Sequence, residues 1–286
     1  MITPTAPVAP APGAASSRLT ASEATASEAT ASEAIPAGST RLSVLSANIQ
    51  AGARTDRYSD YVTRPWSHLL PMREKRGNLD ALAGMAQGFD LVGLQETDPG
   101  SLRSGFINQT HYLAERGRFP FWSHQPNRRM GGFATSANAL LSRLEPQEVV
   151  DHPLPGRIPG RGALLARYGQ GSEQLLVVVA HLSLGLKSRQ AQLAFIAELI
   201  EGAPRAVLMG DFNCEPLSAE MQGLYRRTSL APPSSSLPSF PSWRPKRAID
   251  HILVSEGIKV RRRWLLEGAP ADHLPVAAEI EIPSLL

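Results

Sequence analysis

The chain has 286 residues, of which 42% are hydrophobic and 19% charged, as is usual for a globular protein. Its formal net charge is +3, and the first forty residues contribute −2, so the remainder carries +5. That excess suits an anionic substrate but is too small for a polycationic nucleic-acid-binding surface. The single cysteine, Cys214, excludes an internal disulfide framework and any zinc site built from several thiolates.

Residues 1–40 form a low-complexity segment in which the pentamer Thr-Ala-Ser-Glu-Ala repeats from Thr20. No large apolar side chains recur at a fixed spacing, so burial cannot offset the entropy cost of ordering the segment. We predict a disordered arm over 1–40, although Ala and Glu would also permit a helix, and one folded domain over 41–286. The start lacks the basic and compact apolar regions of a signal peptide, and no apolar run reaches the roughly 18 residues of a membrane span. We therefore expect a cytoplasmic protein with no membrane span.

Short apolar runs beyond Arg41 are typical of β-strands. They predict strands at Leu42–Ala47, Leu91–Gln95, Ala139–Ser142, Ala163–Tyr168, Leu175–Ala180, Ala206–Met209, Ile249–Val254 and Val276–Ile282. The segment from Tyr168 to Glu173 lies between two of these runs and predicts a hairpin.

Two segments show the i, i+3, i+4, i+7 spacing of a helix with one buried face. They are Leu79, Leu82, Ala83 and Ala86, followed by Leu193, Ile196, Ala197 and Ile200. Many strands with few helices predict mixed sheets rather than one parallel sheet. Residues 231–245, rich in Pro and Ser, are expected to form a loop.

Polar residues of only four types, Asn, Asp, Glu and His, stand at the ends of these strands. They are Asn48, Glu96, His181, Asp211, Asn213, Asp250, His251, Asp272 and His273. Each alone could open a turn, end a strand or be a buried, hydrogen-bonded side chain. Together they favour a functional site, because catalytic residues tend to lie just beyond strand ends that a rigid sheet holds in place.

The motifs around these residues resemble those of the endonuclease/exonuclease/phosphatase superfamily, the deoxyribonuclease I-like hydrolases, in order and spacing. The motifs are Ser46-Ala-Asn-Ile, Leu94-Gln-Glu, Ala180-His-Leu, Gly210-Asp-Phe-Asn, Ile249-Asp-His-Ile and Ala271-Asp-His-Leu-Pro, with Asn138-Ala-Leu-Leu-Ser-Arg143 as a further similar strand. The resemblance implies an α+β fold, a four-layer sandwich of two mixed sheets flanked by helices. It is greatest to bacterial members of unassigned substrate. Ala271 is a departure, since many relatives have Ser there.

The resemblance also implies a Mg2+-dependent hydrolase of phosphate esters, with Mn2+ as an alternative ion. Glu96 is then the principal metal ligand, with Asn48 beside it and Asp272 on the metal side. These residues offer oxygen ligands, which Mg2+ prefers.

The remaining strand-end residues are then catalytic. Asp211 is expected to orient and deprotonate the attacking water, and Asn213 to fix that carboxylate or contact the phosphate. His181 and His273 are expected to bind the scissile phosphate as imidazolium ions. Asp250 pairs with His273 in this scheme and keeps it charged.

Basic residues in three loops, Arg64, Arg161 and Arg247, are expected to line the substrate pocket together with Asn138. Arg64 belongs to a basic and aromatic segment, 54–76, which could grip a phosphate and stack on a base, although the pattern favours a solvated insertion anchored by its aromatic residues. The modest charge, and the lack of an apolar loop beyond Phe240 and Trp243, favour a small phosphodiester or a phosphorylated headgroup.

Other functions remain open at this point. The alternatives are a nuclease acting on DNA or RNA, a non-catalytic binding module, and an interaction protein that works through its repeat. No protein partner is implied. Of the residues outside the site, Cys214 is expected to be a small buried hydrophobic side chain. His251 should face the opposite side of the sheet from Asp250, and the remaining histidines, His68, His111, His124 and His152, should lie on the surface.

Overall fold

The computed structural model describes residues 38–52, 72–130, 134–157 and 159–283. Most of the predicted arm, and Arg64 with most of the basic and aromatic segment around it, lie outside the described residues, so those predictions stay predictions. Residues Pro36–Leu286 form one compact unit. Among the helices in the described ranges, none has the length and apolar character that crossing a membrane requires.

Strands dominate the described residues and alternate with a few helices along the chain. The strands are β1 (Ser39–Asn48), β2 (Leu91–Thr97), β3 (Phe121–Met130), β4 (Ala134–Ser142), β5 (Glu148–Pro153), β6 (Gly162–Tyr168), β7 (Leu175–His181), β8 (Arg205–Asp211), β9 (Asp250–Val254), β10 (Lys259–Leu265) and β11 (Val276–Pro283). The α-helices are α1 (Met72–Ala86), α2 (Gln109–Gly117), α3 (Leu186–Ile200) and α4 (Ala219–Arg227).

The strands form two mixed sheets. The first has the order β10-β11-β1-β2-β4-β3 and the second the order β5-β6-β7-β8-β9. One parallel pair lies inside each sheet, β1 with β2 and β7 with β8, and the other neighbours are antiparallel. Two packed mixed sheets with helices outside are the predicted fold class, which is confirmed.

Side chains alternate between the two faces of each strand, so each sheet contributes to two apolar layers. One layer lies between the sheets and contains Val44, Leu91, Leu164, Val177 and Met209, all 0% exposed. A second packs the first sheet against α1 and α2, and a third packs the other sheet against α3 and α4. The apolar stripes predicted for α1 and α3 lie in these outer layers, as expected. Burying one large apolar side chain stabilises the fold by roughly 1.5–3 kcal/mol.

All eight predicted strands are present, whereas β3, β5 and β10 were missed. These three are edge strands, and they contain charged or polar residues such as Arg128, Asp151 and Arg262. Charges on an exposed edge discourage pairing with other chains, so these three sequences lack an apolar run, whereas the edge strand β9 is buried and was predicted. The hairpin at Tyr168 is confirmed, because β6 and β7 pair directly there. The two missed helices, α2 and α4, have nine residues each and are too short to show a clear period.

Candidate active site

The polar strand-end residues continue the layer between the two sheets. Each lies an even number of residues from an apolar residue of that layer on the same strand, so its side chain points between the sheets. The pairs are Val44 and Asn48 on β1, Val179 and His181 on β7, Met209 and Asp211 on β8, and Ile252 and Asp250 on β9. The site is therefore the polar end of a layer that is apolar over most of its length.

The parallel pair β7–β8 places His181 beside Asp211. The two residues are register partners, and His181 Nε2 lies 3.3 Å from Asp211 Oδ2. Gly210, which precedes Asp211, has a φ of +145°, and a Cβ there would lie 1.8 Å from the Ala180 carbonyl oxygen. Only glycine permits this approach of the two strands.

Asn48 joins the two sheets at the site. Its Nδ2 donates to Asp211 Oδ2 at 3.2 Å and to Glu96 Oε1 at 3.4 Å, and its Oδ1 accepts from the Gln50 amide at 3.1 Å. Glu96 and Asn213 both adopt left-handed φ angles, +58° and +55°. Such conformations are costly for non-glycine residues and are retained mainly at functional sites.

Asp211 is 2% exposed and held from both sides. Its Oδ1 accepts from the backbone amide of Asn213 at 3.0 Å, while Asn213 Nδ2 donates to the Leu182 carbonyl at 3.0 Å. Burial, followed by the charge of Asp250, raises the pKa of Asp211 to about 7 against the opposing effect of His273. The carboxylate can therefore exchange a proton near neutral pH.

His273 forms a buried pair with Asp250. Its Nδ1 lies 2.8 Å from Asp250 Oδ2, and its Nε2 points to Asp211 Oδ2 at 4.0 Å. Burial alone would lower the pKa of His273, but the charge and hydrogen bond of Asp250 outweigh it and raise the pKa to about 10. This agrees with the pairing that the resemblance implied. Asp272 is buried beside the pair, and its charge also raises the pKa of His273.

Two residues of the Pro- and Ser-rich loop support this pair and were missed by the sequence reasoning. Ser239 Oγ donates to Asp250 Oδ2 at 2.5 Å, and the ring of Phe240 packs against His273 with centroids 4.8 Å apart. Their only signal in the sequence is a position shortly before Asp250, in a segment whose composition indicates no more than a loop.

His181 differs from the expectation that both histidines are charged. Burial, then the nearby cations Arg161 and His273, lower its pKa well below the ordinary value. It is therefore a neutral imidazole in the structure, able to donate one hydrogen bond and accept another.

The predicted substrate-binding residues that the structure describes differ from one another in burial and in their contacts. Arg161 is half-buried and close enough to affect the pKa of His181. Asn138 is 0% exposed and donates to the Gly162 carbonyl at 2.7 Å, so it supports the chain beside Arg161 rather than facing a substrate. Arg247 is exposed, and its backbone pairs with Phe240.

Two residues that the sequence analysis placed outside the site, Cys214 and His251, have structural roles. Cys214 is buried in the outer layer under α3 and α4, and burial raises the pKa of its thiol to about 11, as expected for an unreactive side chain. His251 faces away from Asp250, with Nε2 2.8 Å from the Cys214 carbonyl. His111 is exposed, whereas His124 and His152 are half-buried, and His68 lies outside the described residues.

The site contains residues suited to a metal ion. Ligand atoms of Asp211, Asp250 and His273 lie within 4.8 Å of one another. Glu96 Oε1 and Asp211 Oδ2 also converge on Asn48 Nδ2, so this second group offers two carboxylates. The donor chemistry of the second group fits Mg2+, because Mg2+ is usually held by one or two carboxylates and retains several waters.

Comparison with known sequences identifies the family. The sequence profile of the Endonuclease/Exonuclease/phosphatase family matches residues 45–273. The chain belongs to this family. Its members are metal-dependent hydrolases of phosphoric esters, so the predicted family and enzyme class are confirmed. A search of curated proteins finds no match.

Solved structures of the family share the fold. An endonuclease/exonuclease/phosphatase from Beutenbergia cavernae superposes with a TM-score of 0.65 at 19% identity, covering 85% of this chain and 72% of that one. The mannosyl-6-phosphatase Bt3783 of Bacteroides thetaiotaomicron gives 0.57 at 20% identity, covering 84% and 99%. The human nocturnin catalytic domain with bound sulfate gives 0.62 at 17% identity, covering 84% and 94%. These identities establish the shared fold alone.

Proposed function

We propose that the chain is a Mg2+-dependent phosphodiesterase that acts on a small phosphodiester or a phosphorylated headgroup. The observation that carries the proposal is the buried Asp211 carboxylate, whose pKa is raised to about 7 and which is shared among Asn48, Asn213 and His181. A general base works best when its pKa is close to the operating pH.

We assign the metal to Glu96 and Asn48 and, as the family resemblance implies, to Asp272, and Mn2+ can replace Mg2+. When bound, the ion neutralises charge on the phosphoryl oxygens. The alternative ligand group contains His273, which would have to be unprotonated to coordinate a metal. Asp250 opposes this, because it raises the pKa of His273 to about 10.

The proton-transfer side of the site follows from the contacts of Asp211. Asp211 accepts the proton of the attacking water, while the Asn213 amide and Asn48 Nδ2 hold its two oxygens in place. His273, kept charged by Asp250, donates to the phosphoryl oxygens through Nε2, and neutral His181 donates a further hydrogen bond. Ser239 keeps Asp250 oriented.

Exposed apolar side chains in the segments that follow the site strands support a substrate with an uncharged part. Five of the seven large hydrophobic side chains exposed in the described residues follow the strands that carry Glu96, His181 and Asp211: Leu102, Phe106, Leu184, Leu186 and Leu217. This corrects the expectation that the loops lack apolar surface, whereas Phe240 packs against His273. Exposed apolar segments of this kind are unsuited to a nucleic-acid duplex, whose affinity comes mainly from neutralised phosphates.

Hydrolysis of a substrate panel with Mg2+ tests the proposal. The panel contains bis-p-nitrophenyl phosphate, glycerophosphocholine, p-nitrophenyl phosphate, mannose 6-phosphate and plasmid DNA, each with and without EDTA. We expect turnover of the small diesters with weak salt dependence, and loss of activity in EDTA that Mg2+ or Mn2+ restores. Rapid nicking of plasmid, with a steep loss as salt rises, would establish the nuclease alternative. Full activity in metal-free enzyme would refute the mechanism, and inactivity on every substrate would favour a binding module.

A further inference from the structure

Buried polar side chains beneath the active site have hydrogen-bonding groups that other described residues do not satisfy. Gln95 is 0% exposed, and neither Nε2 nor Oε1 of its amide has a partner among the described residues. Ser46 Oγ and Asn138 Oδ1 are buried in the same way. We call Ser46, Gln95 and Asn138 the polar floor. Buried polar groups in native proteins are nearly always hydrogen-bonded, to ordered water where the protein offers no partner.

The residues of the polar floor lie on one face of three adjacent strands. Gln95 on β2 is the register partner of Asn48 on β1, and Ser46 is the partner of Gly93. Between β2 and β4 the register shifts after Leu94, so Asn138 lies opposite the irregular step at Gln95. Each of the three residues lies an even number of positions from an apolar residue of its own strand that belongs to the layer between the sheets. All three side chains therefore point into that layer.

Gly93 separates the polar floor from the apolar part of that layer. A Cβ at Gly93 would lie 2.8 Å from Met209 Sδ and 3.1 Å from a Val179 methyl group, so the two sheets are in close contact there. His181 and Asp211 come two residues after Val179 and Met209, just as Gln95 comes two residues after Gly93. Gln95 therefore lies at the level of His181 and Asp211.

Gln95 is also directly linked to Asn48 and Glu96, the two residues assigned to the metal. Its carbonyl accepts from the Ile49 amide at 3.0 Å, immediately after Asn48. Glu96 follows it with a left-handed φ of +58°, and the side chain of Glu96 contacts Asn48 Nδ2 at 3.4 Å. A change at Gln95 would be transmitted to both residues over very short covalent and hydrogen-bonded paths.

We infer that Gln95 is a positioning residue of the active site. Its amide binds ordered water together with Ser46 and Asn138, and this hydrogen-bonded floor holds Glu96 and Asn48 in the arrangement that binds the metal. Residues that orient metal ligands from behind typically affect metal affinity or activity by 10- to 100-fold. The inference rests on the proposed function, in which Glu96 and Asn48 bind Mg2+.

The test replaces the amide by an apolar group of similar length, Gln95→Met. Because the amide bonds water rather than another described residue, its loss should lower Tm less than the loss of a directly bonded amide does. The Mg2+ concentration needed for half-maximal stabilisation should rise about tenfold or more, and kcat should fall by a similar factor. The matched control is Gln192→Met, since Gln192 is also 0% exposed but bonds the Ser183 amide and hydroxyl at 2.9 Å. The Tm of that variant should fall.

The Mg2+-dependent shift in Tm needs no substrate, so it separates the two proposals. Wild-type protein without any shift would refute the proposed metal site. A normal shift in wild type together with the same Mg2+ midpoint in Gln95→Met would overturn the role of Gln95 alone. Ser46→Ala, which removes one hydroxyl, provides the same test if the methionine variant does not fold. It should raise the midpoint by a smaller factor, and an unchanged midpoint would overturn the inference.

Discussion

The layer between the two sheets has two ends that are equally buried and chemically opposite. At one end Leu91, Val177 and Val207 are 0% exposed, and at the other His181 and Asp211 are 4% and 2% exposed. Burial of the apolar end stabilises the fold by about 25 cal/mol for each Å2 removed from water. Burial of the polar end instead disfavours charge, which raises the pKa of Asp211 and lowers that of His181. The same packing thus produces stability at one end and shifted pKa values at the other.

The largest expected effect is at the polar end. Asp211→Asn removes the proposed base while leaving an isosteric side chain, so kcat should fall by at least about 100-fold. Tm should stay the same or rise, because an ionisable group is removed from a buried position. Kinetics and thermal unfolding on the same preparation measure both. A fall of less than about fivefold would show that another group acts as the base.

Leu91→Ala makes the opposite change at the apolar end. Leu91 is five residues before Glu96, about 16 Å along the strand. Removing its buried methyl groups leaves a cavity and should cost about 2–5 kcal/mol of unfolding free energy. Chemical denaturation measures the loss, and kcat of the folded fraction should match wild type. A large fall in kcat would mean that the two ends of the layer are not independent.

Glu96→Gln tests the division between metal binding and proton transfer. The neutral amide is a poorer ligand for Mg2+, so the Mg2+ midpoint of activity should rise by roughly tenfold, and added Mg2+ should partly restore turnover. Asp211→Asn should show no such rescue. Identical Mg2+ titrations of the two variants would contradict the separate roles assigned to these residues.

The smallest effect concerns the pH dependence of stability at the Asp250–His273 pair. The pKa of His273 is raised to about 10 in the folded protein, against about 6.5 when unfolded. Its stabilising contribution is therefore complete below about pH 6.5 and is lost as the pH rises through about 10. The difference in Tm between wild type and Asp250→Asn should shrink between pH 7 and pH 10. A constant difference over that range would show that the pair contributes no charge-dependent stability.

The central strands could be read from the sequence because they are buried on both faces and appear as uninterrupted apolar runs, as in Leu175–Ala180. Two edge strands, Lys259–Leu265 and Glu148–Pro153, could not be read, because they meet solvent and carry the charges that suit it. Residue types at the site were readable for a related reason, since polar residues at the ends of apolar runs stand out locally.

The sequence by itself determined the family, the central strands, the two longest helices and the order in which the polar site residues follow them. Only the tertiary structure decided which of these residues meet, because the decisive contacts join distant parts of the chain, as between Asn48 and Asp211, 163 residues apart. It also decided that the pKa of His181 is lowered, that Leu184 and Leu217 are exposed, and that Gln95 is fully buried. Charge state and exposure depend on the neighbours that folding brings together, and local sequence patterns do not contain those neighbours.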